Sequence, residues 1–85
     1  MNRKKRIDKI LKKKLINFSI YIEDNSYLHK GHNNFDGKGE THILLKLKPN
    51  SNIKYNRLEI HKLVNSLIKE EFLQGLHSLE IRIIN

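Results

Sequence analysis

Eighty-five residues, 38% of them hydrophobic, suffice for one modest core and leave no room for a second. The chain has no cysteine, so its own side chains exclude a disulfide, a thiol nucleophile and a thiolate metal site. Net charge is +8, and nearly all of the excess lies in residues 1–14, where Arg3, Lys4, Lys5, Arg6, Lys9, Lys12, Lys13 and Lys14 face Asp8 alone. Such a face suits phosphate backbones or acidic partners. However, Lys, Asn and Ile supply 35 of the 85 residues, as an AT-rich coding bias would also produce. No apolar run approaches the ~18 residues of a membrane span. The basic start is followed by no apolar signal core, so the expected compartment is cytoplasmic and no membrane partner is expected.

Residues 3–16 place Ile7, Ile10, Leu11 and Leu15 at i, i+3, i+4 and i+8, the stripe of an amphipathic helix, with Asn17 as a plausible stop. From Phe18 the period becomes two: Phe18, Ile20 and Ile22 alternate with Ser19, Tyr21 and Glu23, a half-buried strand. A long loop follows, containing His29, His32 and an Asp36-Gly37 turn signal, and it enters a second strand at Thr41-His42. Loops beyond about 12–15 residues are uncommon in small domains and are usually functional or disordered. Poor order is expected near residues 29–38, where glycine and asparagine are frequent and Phe35 is the only apolar anchor.

In residues 41–48, Ile43, Leu45 and Leu47 alternate with His42, Leu44, Lys46 and Lys48, and Pro49 ends the run. A second helix is expected from Asn56 to Leu73, with Ile60, Leu63, Val64, Leu67, Ile68 and Phe72 on one stripe and Gly75 at its C-terminal cap. The closing LHSLEIRII, residues 76–84, reads as a third strand. The expected fold is α+β in the order α-β-β-α-β, a single domain over 1–85. Its three-stranded mixed sheet carries both helices on one face. The other face (Tyr21, Glu23, His42, Lys46, Lys48, Ser78, Glu80, Arg82) is too polar to bury.

A strand–helix–strand connection makes strands two and three parallel, so both begin at the same end of the sheet. His77, at the start of strand three, is therefore expected beside the exit of the loop bearing His29 and His32. Two loop histidines at HxxH spacing permit convergence on one metal, although solvated loop histidines are commoner. His42 and His61 read as surface or packing residues. No HExxH, Walker loop, nucleophile elbow or paired-carboxylate pocket occurs, and nothing in the chain suggests an enzyme.

Four short runs carry a resemblance: Asp24-Asn25-Ser26-Tyr27-Leu28-His29, Gly39-Glu40-Thr41-His42, His61-Lys62-Leu63-Val64-Asn65 and Gly75-Leu76-His77-Ser78-Leu79. In order and spacing they resemble the BolA family patterns D-x-S-x-x-H, G-x-(S/T)-H, R-H-R-x-V and V-H-A-L, over about Arg6 to Ile84. The resemblance implies a type II KH-like fold and a non-enzymatic role in iron–sulfur metabolism. The implied partner is a monothiol glutaredoxin, with a bridging 2Fe–2S cluster held by its cysteine, by glutathione and by this chain. It further implies His77 and the loop residue His29 as metal ligands, with His32 a second candidate for the loop position, and a monomer when free.

Family members have also been proposed as DNA-binding regulators. That alternative would use the basic first helix and the 54–62 segment, with Lys54, Arg57, His61 and Lys62 as nucleic-acid contacts. The R-H-R run reads Ile60-His61-Lys62 here, and the glycines (Gly31, Gly37, Gly39, Gly75) form no G-x-x-G loop, which disfavours RNA binding in the KH manner.

Overall fold

Ile7, Leu11 and Leu15, each four residues after the last, form a fully buried row in the computed structural model, which describes residues 2–25 and 41–84. They belong to α1 (Arg3–Lys14) and its C-cap, and the helix starts where the Asn2 side-chain oxygen accepts the Lys5 amide at 2.9 Å. That bond satisfies one of the donors every helix leaves orphaned at its N-terminus. β1 (Phe18–Asp24), β2 (His42–Pro49), α2 (Arg57–Leu67), α3 (Lys69–Leu73) and β3 (Ser78–Ile83) follow. The sheet order is β1-β2-β3, with β1 antiparallel and β3 parallel to the central β2. The α+β fold and the strand directions are those expected from the periodicities and the crossover argument. The expected loop features, including poor order near 29–38, lie outside the described residues.

The core sits between one sheet face and the helices: Phe18, Ile22, Ile43, Leu45, Leu47 and Ile83 from the sheet, and Ile7, Leu11, Val64, Ile68 and Leu76 from the helical side. Leu45 and Leu47 are completely buried, and removing either side chain is expected to cost about 2–5 kcal/mol. At the far end of the sheet the core closes with the Phe18 and Tyr55 rings edge-to-face, their centroids 5.6 Å apart.

Two features differ from the sequence reading. The single helix expected from Asn56 to Leu73 is broken at Ile68, which has φ −108° and ψ 20°, and the chain resumes as the short α3. No glycine or proline marks the break. Ile68 is fully buried, and its carbonyl accepts the Glu71 amide at 2.9 Å in a tightened turn. Beyond it Glu71 is buried at 5% exposure, whereas Phe72, read as part of the apolar stripe, is 36% exposed. The second difference is Leu44, which alternation assigns to the polar sheet face. It is only 6% exposed, in register with Glu23 and Glu80 and flanked along β2 by His42 and Lys46.

Candidate functional site

His77 is delivered by a tightly specified turn. α3 ends at Leu73 with Gln74 as its C-cap, and Gly75 follows with φ +114°, a conformation that side-chain-bearing residues rarely adopt. The chain then reverses so that the Leu76 amide donates to the Glu71 carbonyl at 2.9 Å, the bond of a Schellman cap, and Leu76 is buried. The next two amides, of His77 and Ser78, both donate to the Thr41 carbonyl, at 2.8 and 3.1 Å. This clips the start of β3 to the start of β2.

The same corner receives the end of β1, because the Asn25 amide donates to the His42 carbonyl at 2.8 Å. Asn25 and Thr41 are the two described residues that flank the histidine loop. The sequence expectation that His77 lies beside the loop's exit is therefore met at Thr41. His29 and His32 themselves lie outside the described residues.

The His77 side chain is exposed, and among the described residues its ring nitrogens have no hydrogen-bond partner. Its ring stands edge-to-face with that of His42, centroids 5.9 Å apart and planes at 80°. His42 is half-buried, and its Nδ1 lies 3.0 Å from the Thr41 hydroxyl. His42 thus packs, as one of the two roles read for it allows, but its partner His77 was not foreseen. The signal was the place of His42 as the first residue of β2, which the parallel register sets beside Ser78.

Among the described residues, no three potential metal-binding side chains cluster. This corner thus offers exposed imidazole and no thiolate. The described residues here do not complete a metal site by themselves, and they leave an exposed imidazole to which further ligands could be added.

The second set of sequence candidates lies on and before α2. Lys54, Arg57 and Lys62 are exposed and His61 is half-buried. Arg57 leans toward the Ile83 carbonyl at 3.5 Å. His61 lies one turn beyond Arg57, and its carbonyl accepts the Asn65 side-chain amide at 2.8 Å.

The basic first helix is divided by the fold. Lys4, Lys5, Lys9, Lys12, Lys13 and Lys14 are exposed, but Arg3 is buried at 8% exposure. Arg3 Nε donates to Glu71 Oε1 at 2.9 Å and its Nη2 to the Gln74 carbonyl at 2.7 Å. Arg6 grips the same carboxylate with both arms, Nε to Oε2 and Nη2 to Oε1, each at 2.8 Å. These charge-assisted bonds, Arg6's first, hold the Glu71 carboxyl below its ordinary value, while burial pulls the other way. Counting both arginines with the solvent-facing charge missed this cluster. The signal available was spacing, since Arg3 precedes Ile7 by four residues and so continues the buried row Ile7, Leu11, Leu15.

Comparison with known proteins places this geometry among relatives. A family model described as BolA-like protein matches residues 11–85. The chain is 38% identical over 82 residues to Protein BOLA1, chloroplastic, of Arabidopsis thaliana, covering 94% of this chain and 51% of that protein. It is 36% identical over 84 residues to UV-induced protein uvi31 of Schizosaccharomyces pombe, covering 95% of this chain and 82% of that protein. The solved BolA domain of SufE1 from Arabidopsis thaliana superposes with a TM-score of 0.77 at 32% identity, covering 98% of this chain and 91% of that one. The chain spans about half the length of BOLA1.

Proposed function

We propose, from the premise that this chain belongs to the BolA-like family, that it is a non-enzymatic adaptor pairing with a monothiol glutaredoxin. In this reading it co-ligates a bridging 2Fe–2S cluster through His77 and one loop histidine, His29 or His32, in cluster trafficking or iron regulation. The observation that carries the reading is His77, an exposed imidazole whose backbone is clamped to Thr41 at the corner where the histidine loop leaves and returns. His29 lies four residues beyond Asn25, a reach of at most about 14 Å for an extended chain.

The chain's contribution is positional. Two amides on the Thr41 carbonyl fix the His77 backbone, and the His42 ring limits the directions its imidazole can take. A cysteine-free chain can share such a cluster only if its partners bring the thiolates, here the glutaredoxin cysteine and glutathione. Bound there, the cluster supplies one-electron chemistry at a potential that imidazole ligation raises relative to thiolate.

The test is anaerobic co-purification with a monothiol glutaredoxin and glutathione, read by visible absorption and circular dichroism. His77→Ala is expected to abolish the mixed-complex spectrum, and Lys13→Ala to leave it unchanged. His29→Ala is expected to approach the His77 effect, with the His29→Ala/His32→Ala double change separating the two loop candidates. A His77→Ala complex with the wild-type spectrum and lifetime would refute the assignment.

A second reading, a DNA-binding regulator, is favoured by one observation: the six exposed lysines of α1. Binding of that origin would weaken steeply with salt and vary little with sequence. It would need Lys4–Lys14 and be indifferent to His77.

A further inference from the structure

We propose that the Arg3–Glu71–Arg6 cluster is a positioning device for His77, through which the N-terminal turn of α1 sets the geometry of the turn that presents the imidazole. The proposal rests on the reading of His77 as a ligand and adds residues outside the 11–85 stretch that the family model matches.

α3 has only five residues and is separated from α2 by the break at Ile68, so its direction depends on tertiary ties. Glu71 provides them twice. Its buried carboxylate is held by both arginines, and its carbonyl receives the Leu76 amide. Arg3 then spans from that carboxylate to the Gln74 carbonyl, three residues before His77.

Gly75 lies under the same guanidinium: a Cβ there would be 3.4 Å from Arg3 Nη2. The turn that launches His77 is thus held from one side by Arg3 and from the other by the Thr41 carbonyl. Between these two grips, the Gly75–Leu76 link carries the chain into the His77 backbone, from which the imidazole projects. Loss of the Arg3 grip releases the Gln74 carbonyl while leaving Glu71 bidentate with Arg6.

Arg3→Met isolates that grip, because methionine keeps the apolar stem in line with Ile7 and Leu11 but donates no hydrogen bond. Two readouts decide. In the free protein, ring-proton shifts of His77 and the nuclear Overhauser contact between the His42 and His77 rings are expected to change. In the glutaredoxin complex, the cluster lifetime is expected to shorten relative to wild type. Arg3→Lys retains charge but cannot span both acceptors, and it is expected to lie between wild type and Arg3→Met.

Unchanged ring shifts, ring contact and cluster lifetime, with only a lowered melting temperature, would show a merely structural tie and overturn the proposal. If Arg3→Met fails to fold by far-ultraviolet circular dichroism, Arg3→Lys is judged by the same two readouts. If His77→Ala leaves the cluster intact, the ligand reading fails, and the free-protein readout alone decides the positioning.

Discussion

Glu71 and Glu23 are both paired with cations, yet their surroundings make them different objects. The Glu71 side chain is 6% exposed and shares its carboxylate between Arg3, itself 10% exposed, and Arg6. The Glu23 side chain is 49% exposed and meets Lys46 at 3.0 Å across the polar sheet face, where Arg82 and Glu80 also pair. In water the Lys46–Glu23 attraction is screened and offset by the entropy of holding two long chains together. At the α1–α3 junction, desolvation has already been imposed on Arg3 and Glu71, while Arg6 stays partly exposed, so removing the carboxylate leaves the Arg3 guanidinium buried without its counter-charge. A carboxylate–cation pair is a surface ornament in one place and a structural commitment in the other.

The sharpest way to break this comparison is Glu71→Ala, which strands the buried Arg3 guanidinium near the core and takes the acceptor from the partly exposed Arg6. A loss of about 3–5 kcal/mol is expected, read as a lowered urea midpoint with an unchanged slope. Acid should act on the same group with a smaller effect, since protonation removes charge but not shape. The Glu71 carboxyl is lowered from 4.5 in the folded chain, so its stabilising contribution is complete above that value. It is lost as pH falls through the lowered folded value. Urea midpoints between about pH 6 and about pH 3 should therefore fall less for Glu71→Gln than for wild type. Equal slopes would mean that other carboxylates carry the acid response.

Gly75→Ala probes the turn that the cluster braces. Forcing a side chain to φ +114°, and placing its Cβ 3.4 Å from Arg3 Nη2, is expected to cost about 1–3 kcal/mol in thermal or urea unfolding. Lys46→Ala closes the series at the other pole. It should change stability by less than about 1 kcal/mol, and that small effect should vanish in high salt. A Lys46→Ala loss as large as that of Gly75→Ala would erase the distinction between the two regions.

The place of His77 in the fold was legible in the sequence. Period-two alternation located β1, β2 and β3, and the parallel crossover between β2 and β3 placed His77 beside Thr41, 36 positions earlier in the chain. That inference worked because strand direction is a topological constraint, insensitive to which side chains line the path. The His42–His77 contact was less legible. Strand period assigned His42 to a face, but the Thr41–His77 clip that brings the two rings to 5.9 Å is a backbone event.

The sequence by itself determined the order of elements, the buried row of α1, the directions of the strands and the end of the sheet at which the exposed histidine sits. Each follows from a local period or from a handedness rule that every chain obeys. The tertiary structure alone decided which members of a like-charged run turn inward, where the second helix breaks, and that Leu44 is buried on the polar face. Those outcomes depend on partners as distant as the 68 residues separating Arg3 from Glu71. A period reports which side of an element a residue occupies. It carries no information about what the rest of the chain will set against that side, and for a charged group the partner makes the difference between a solvated lysine and a buried arginine.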